Sequence, residues 1–278
     1  MSEGMSRRLY SVLSWIVLGV LAVYFLFPIY MALINSFKSQ AEIYKFVLKL
    51  PSSLNFKNYV DAFTKGNLLK AGLNTVIVTV TGIVGIIACS SLAGYKLSRT
   101  RGRLSGAIFT LFVASMLIPF QTIMVTLTKM ARDLKLQGSP LGLGIVCAGL
   151  GVNMAIFLYH GFVKGIPREL DESASIDGCG EWRAYFTIIF PLLLPITFTI
   201  IVLNLLWLWN DFLLPLLLLN DYHAYTLVLA INMFFGKYTS DWPLILASLV
   251  ISSVPIIVIF AVFQRWIIQG ITEGAVKG

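Results

Sequence analysis

The chain has 278 residues, of which 58% are Ala, Val, Ile, Leu, Met, Phe, Trp, Tyr or Cys and only 12% are Asp, Glu, Lys or Arg. Charged residues make up about a quarter of an ordinary soluble protein, and the mean hydropathy here is +0.84, so a soluble fold, a disordered chain and an extended coiled coil are excluded. The net charge of +8 comes from basic residues scattered between apolar runs, with no basic stripe interleaved with aromatics, so no nucleic acid partner is expected.

Six stretches contain no Lys, Arg, Asp or Glu: residues 9–37, 71–95, 104–128, 136–163, 184–210 and 242–264. The shortest has 23 residues, and a helix rising about 1.5 Å per residue needs about 20 to cross about 30 Å of hydrocarbon. Six transmembrane helices in one all-α, polytopic domain over 1–278 are therefore expected. A membrane β-barrel would alternate polar and apolar residues, whereas these runs are continuously apolar.

The first run follows Arg7 and Arg8 but far exceeds the roughly 7 to 15 residues of a secretory signal core, so it reads as an uncleaved first helix. The segment 38–70, with six lysines, reads as an external loop. Lys96, Arg99, Arg101 and Arg103 crowd the link between the second and third spans. With both termini on one side, Lys and Arg divide 11 to 10, so the totals hardly decide orientation. The cluster of four and the Arg7–Arg8 pair favour cytoplasmic termini.

Within the spans, Gln121 lies mid-span in the third run, and Asn153 and His160 share a face of the fourth. Each reads as a packing or hydrogen-bonding group, with His160 at the membrane edge. Cys89 and Cys147 fall in spans and Cys179 in a loop, without the spacing of a disulfide or metal site. No G-x-x-x-x-G-K-[ST] and no H-E-x-x-H occurs, so no catalytic residue, no metal and no cofactor are expected in this chain. The six cores also lack a carboxylate, the usual marker of a proton- or sodium-coupled carrier. The energy source is expected to be another polypeptide.

The loop 164–183 reads KGIPRELDESASIDGCGEWR. Pro167 suits a first helical position, Glu169, Asp171 and Glu172 suit the positive end of a helix dipole, and Gly178 suits a left-handed stop. A short acidic helix with a small middle, Ser173, Ala174 and Ser175, is expected, contributing nothing to the packing of the spans. Physics alone leaves two readings level: an interfacial helix without a partner, or a rod that enters a groove on another protein.

In the fifth run, at 100° per residue, Thr197, Asn204 and Asp211 lie within about 40° of one another, with Trp207 about 40° further round. A polar stripe with one aromatic suits a sugar pathway, and it equally suits hydrogen bonding to a neighbouring helix. The pathway reading is assigned to Asn204, Trp207 and Asp211, and helix packing to Thr197. Pro191, Pro195 and Pro215 are expected to bend this span. The apolar stretch 222–236 is too short to span, so 222–241 reads as an external interfacial or re-entrant segment.

Glu172, Ser173, Ala174, Gly178, Ile188, Phe190 and Pro191 fall at the spacing E-A-A-x3-G-x9-I-x-L-P, with Ser173 and Phe190 as departures. The segment resembles the EAA loop of binding-protein-dependent ABC importer permeases. Pro28 with Ser36, Phe37 and Lys38, the run Trp209, Asn210, Asp211 and Phe212 with Pro215, and the ending from Phe263 to Gly278 are similar to the carbohydrate-uptake branch, the shorter maltose-type subunit. The resemblance implies a type I permease fold in a bacterial cell membrane. It also implies an ATPase-coupling role for Glu172, Ser173, Ala174, Asp177 and Gly178, and a cytoplasmic loop, hence cytoplasmic termini. Implied partners are membrane lipid, a second homologous permease, an extracellular solute-binding protein and two ATPase subunits, which would bind ATP and Mg. The cargo stays open between a sugar and a solute such as glycerol phosphate or a polyol. An ion channel or a stand-alone carrier is the rival class, and neither needs an ATPase.

Overall fold

The computed structural model describes residues 3–236 and 239–275. Among the described residues there are helices, turns and one isolated bridge, Phe235 to Ser240, but no strand. Four helices are long and apolar enough to cross a membrane: Tyr10–Ser36, Leu68–Arg99, Pro140–Lys164 and Trp242–Val262. The two remaining apolar runs are bent pairs, Arg103–Ser115 with Phe120–Asp133 at 103° and Glu181–Leu192 with Leu194–Asn210 at 72°. The architecture thus holds four spans, or up to six if each bent pair crosses.

Proline explains both bends. Pro119 has no N–H and takes an extended ψ of 136°, and it biases Ile118 away from helical backbone, so the third run restarts at Phe120. Gln121 consequently sits beside a break and not in the middle of a span. In the fifth run Pro191 and Pro195 cannot donate to the carbonyls one turn back. The backbone answers with a widened π turn over Tyr185–Ile189, and Leu193 N–H is shared between the Ile189 and Phe190 carbonyls at 3.1 and 3.0 Å. Bends at Pro191 and Pro195 were expected. Pro215, however, lies off this span, buried in a separate helix, Leu213–Leu218.

The chain packs as two compact units. The first comprises Met1–Leu68 and Ile231–Val254. Its segment after the first helix carries two short helices, Gln40–Lys45 and Lys57–Lys65. Lys38 is fully buried there, its Nζ donating to Asn35 Oδ1 at 2.8 Å and to the carbonyls of Phe46 and Val47 at 2.9 and 3.3 Å. Burial lowers the pKa of this ammonium from its ordinary value, with Glu42 opposing. Asn58 Nδ2 donates to the carbonyls of Ser36 and Lys38, and the Ser36 and Tyr59 hydroxyls share a hydrogen bond of 2.7 Å. Gln40 pins the far segment, donating to Ser240 O at 2.8 Å and accepting from Trp242 N–H at 3.1 Å.

The second unit comprises Leu69–Ala230 and Pro255–Gly278; Val276, Lys277 and Gly278 lie outside the described residues. Here Leu68–Arg99 crosses Pro140–Lys164 through small residues. A Cβ added at Gly85 would lie 2.7 Å from the Ala148 Cβ, and one at Gly144 would lie 2.8 Å from the Thr81 Cβ. Small side chains let two backbones approach where no water drives helices together. One buried cluster gathers Val78, Leu143, Cys147, Leu208, Leu214 and Leu218; another gathers Ile86, Ala155, Tyr159, Tyr185, Ile189 and Ile200. His160 is buried with its ring stacked on Phe109 at 3.7 Å, a packing role.

The stretch from 222, expected as an interfacial or re-entrant helix, is not one continuous helix. It divides into Tyr222–Ala224, Leu227–Ile231 and Asn232–Phe234; Lys237 and Tyr238 lie outside the described residues. Hydrogen bonds to the Leu68–Arg99 helix break it up. Asn74 Nδ2 donates to the His223 and Tyr225 carbonyls at 2.8 and 3.0 Å, and Leu227 N–H donates to Thr75 Oγ1 at 2.8 Å. Leu227, Leu229 and Ala230 are buried.

Candidate functional site

The loop between the fourth and fifth apolar runs folds as the sequence implies, with a start shifted by two residues. The helix is Glu169–Ile176, with Arg168 at its N-cap and Pro167 ahead of it. Glu169, Asp171 and Glu172 occupy the first turn, where unpaired N–H groups favour negative charge. The helix ends in a two-bond closure: Cys179 N–H donates to the Ala174 carbonyl at 2.9 Å and Gly178 N–H to the Ser175 carbonyl at 3.1 Å. Gly178 has φ of +75°, the left-handed backbone this closure requires.

The five candidate coupling residues sit together on this helix and its closure but not on one face. Glu172, Ser173, Asp177 and Gly178 are exposed, whereas Ala174, 3% exposed, points into its own chain. The expectation that the loop contributes nothing to packing is therefore corrected. Its exposed face also carries Ile176, 86% exposed, an apolar side chain that the charge pattern did not single out.

This helix is seated by contacts that the sequence reading did not pair: Tyr95, not singled out there, and Arg99 both meet Asp171. Asp171 Oδ1 accepts from the Tyr95 hydroxyl at 2.6 Å, and Asp171 Oδ2 lies 2.8 Å from Arg99 Nε. Arg99 Nη1 also donates to the Val163 and Ile166 carbonyls at 3.3 and 3.0 Å, closing the end of Pro140–Lys164. Arg168 adds a bond to the Ser98 carbonyl at 3.4 Å, and Lys96 pairs with Glu181 at 2.9 Å across an exposed surface. Beside this network runs a groove of about 360 Å³, bordered by Tyr95, Arg99, Arg168, Glu172 and Cys179. Arg99 stood out as one of four clustered cations, but its pairing with Asp171 depends on residues 72 positions apart in the chain.

The candidate wall on Leu194–Asn210 is shorter than its periodicity suggests. Thr197 is buried, and its Oγ1 shares a 2.8 Å hydrogen bond with the Tyr159 hydroxyl, the packing role expected of it. Asn204 is half-buried; its Nδ2 donates to the Ile200 carbonyl at 2.8 Å and its Oδ1 faces Gly151. Trp207 is 38% exposed. Asp211 is no longer helical, with ψ of 130°, so the seven-residue repeat does not carry it onto the Asn204 face. Its Oδ1 accepts from Leu213 N–H at 3.1 Å and Leu214 N–H at 3.5 Å, starting the next helix. Burial raises the Asp211 pKa, opposed by these backbone donors.

The family described as binding-protein-dependent transport system inner membrane component matches residues 85–273. The chain belongs to that family. It is 42% identical over 259 residues to the probable starch degradation products transport system permease protein AmyC of Thermoanaerobacterium thermosulfurigenes, covering 93% of this chain and 94% of that one. It is 34% identical over 252 residues to the melibiose/raffinose/stachyose import permease protein MelC of Bacillus subtilis, covering 90% and 91%. A crystal structure of a bacterial ABC transporter involved in the import of the acidic polysaccharide alginate shares the fold, with a TM-score of 0.80 at 22% identity, over 95% of this chain and 98% of that one. This permease is thus an inner membrane component of a transport system, and its family is one of transport proteins. Membership in a binding-protein-dependent system implies a solute-binding protein as partner.

Proposed function

We propose that this permease is one of two homologous membrane subunits of an ATP-driven importer for a sugar or oligosaccharide. The observation that carries the reading is the 42% identity over 93% of the chain to a permease named for starch degradation products. Relatives named for multiple sugars and for arabinooligosaccharides, at 32% and 31% identity, support the same cargo class. In this reading both bent pairs cross the membrane, giving six spans with cytoplasmic termini.

The Glu169–Ile176 helix then faces the cytoplasm and docks on one of two ATPase subunits, which bind ATP and Mg. Glu172, Ser173 and Asp177 meet the ATPase, Ala174 sets the inner face of the helix, and Gly178 fixes where the rod ends. Asn204 and Trp207 line the sugar's path, one by hydrogen bonding and one by offering an apolar face, with Asp211 at the end of that wall. The solute-binding protein delivers cargo from outside.

The experiment is purification of the tagged permease from its own host, followed by reconstitution with the proteins it retains. ATPase subunits should copurify, and labelled malto-oligosaccharide should enter proteoliposomes only with ATP and the binding protein. Uptake without an ATPase would mean a stand-alone carrier, and uptake of glycerol phosphate alone would change the cargo.

A further inference from the structure

Asp171 and Glu172 are adjacent carboxylates with opposite surroundings. Glu172 is exposed, whereas Asp171 turns inward, where Tyr95 and Arg99 take one oxygen each at 2.6 and 2.8 Å. Both partners sit on the last turns of Leu68–Arg99, so the contact ties the loop to a span distant in sequence. Arg99 and Asp171 side chains are 12% and 23% exposed, against 63% and 85% for the Lys96–Glu181 pair. A shielded ion pair keeps more of its attraction than one in water. Arg99 also binds the Val163 and Ile166 carbonyls, so a single guanidinium joins the end of one span, the end of another and the loop helix.

We propose that Arg99 and Tyr95 are positioning residues that, through Asp171, lock the Glu169–Ile176 helix to the end of the Leu68–Arg99 helix, so that the two move as one body. This rests on the reading of the loop as the ATPase-coupling element. A displacement delivered to the exposed face then enters the membrane through Leu68–Arg99 as well as along the chain into the bent fifth run. Two side chains hold one carboxylate oxygen each, and Arg99 also holds the Val163 and Ile166 carbonyls just ahead of the helix, which leaves the helix little freedom to pivot about its start.

The test uses the complex with its own ATPase subunits and binding protein in nanodiscs, with Cys89 and Cys179 replaced by Ser and spin labels at Thr100→Cys and Glu169→Cys, the latter on the loop helix but outside the residues that meet the ATPase. In the otherwise wild-type complex the label distance should be narrow and the same in the nucleotide-free and vanadate-trapped states. With Asp171→Asn it should broaden, and binding-protein-stimulated ATP hydrolysis should fall by about 2- to 30-fold, the range a local coupling network carries. Asp171→Glu, which keeps the charge, should restore most of the stimulation, and Lys96→Gln, at the exposed pair, should lose none. A merely structural carboxylate would lower the yield of complex and leave hydrolysis per assembled complex unchanged.

A label distance that shifts on vanadate trapping in the wild-type background overturns the proposal. So does wild-type stimulation in Asp171→Asn, whatever the distances show. If the permease retains no ATPase subunits, the coupling role of the loop fails separately. The label distribution on the permease alone then judges the lock, and an Asp171→Asn distribution as narrow as the wild type's refutes it.

Discussion

Gly94 lies so close to Tyr159 that a Cβ added to it would sit 2.6 Å from the Tyr159 Cβ, 3.1 Å from the His160 backbone nitrogen and 3.3 Å from the Ile156 carbonyl oxygen. None of these atoms can rotate aside, so the crossing of Leu68–Arg99 with Pro140–Lys164 depends on a bare backbone at this point. The same pair of helices supplies Arg99 and the Val163 carbonyl it binds, and the packing thereby places the Glu169–Ile176 helix.

Gly94→Ala should therefore destabilise the permease by about 1 to 3 kcal/mol through overpacking, lowering its melting temperature in detergent. Gly106→Ala, where nothing stands within 4 Å, is the matched control and should be neutral or slightly stabilising. Equal melting temperatures for the two variants would show that the helices slide apart without cost.

Lys38 is buried with three acceptors around its ammonium. Lys38→Met keeps the length of the side chain and strands those acceptors, with an expected loss of about 1 to 3 kcal/mol. Thermal unfolding followed by a fluorophore on the 38–70 segment would measure it. Wild-type stability would mean that water replaces the ammonium freely.

At Gly178 space is not the constraint, because no atom lies within 4 Å of a Cβ there; the φ of +75° is. Val should cost about 1 to 2 kcal/mol of backbone strain, while Asn, which tolerates this region better, should cost less. Gly178→Val should abolish binding-protein-stimulated ATP hydrolysis, and Glu172→Ala should reduce it more mildly. Full stimulation with Val, at matched protein levels in proteoliposomes, would remove this loop from the transmission path.

Asn204→Leu and Trp207→Ala separate pathway from packing. Each should weaken sugar uptake while leaving assembly intact, Asn204 through a lost hydrogen bond worth about 0.5 to 1.5 kcal/mol. Because Asn204 Oδ1 faces Gly151, the Leu variant also needs a melting temperature beside its uptake curve. Normal uptake across sugar concentrations in both variants would assign this face to helix packing.

The three cysteines offer a test of orientation. Cys179 is half-buried in the loop, Cys147 is buried in the core, and Cys89 is exposed on the surface of its helix. A membrane-impermeant maleimide should label Cys179 in inside-out vesicles lacking the ATPase and spare intact spheroplasts. Cys89 should become reactive only when detergent replaces lipid, and Cys147 only on unfolding. Labelling of Cys179 from outside would reverse the orientation.

Composition alone determined that this is a helical membrane protein, because charge-free runs of 23 or more residues have few other stable solutions. The loop helix and its glycine stop were equally legible, since proline, acidic first turn and left-handed glycine act within a few residues of one another. Even the bend at Pro191 and Pro195 followed from missing donors. The tertiary structure alone decided which partner each polar group takes. It paired Asp171 with Arg99 and turned Ala174 inward. It ended the Asn204 helix before Asp211, and it split the 222–236 stretch around Asn74 and Thr75. Local rules rest on backbone geometry that neighbours in sequence share, whereas these contacts join residues tens of positions apart. In a membrane core, without a hydrophobic drive between helices, such contacts are made by small residues and hydrogen bonds, whose partners an apolar run does not name.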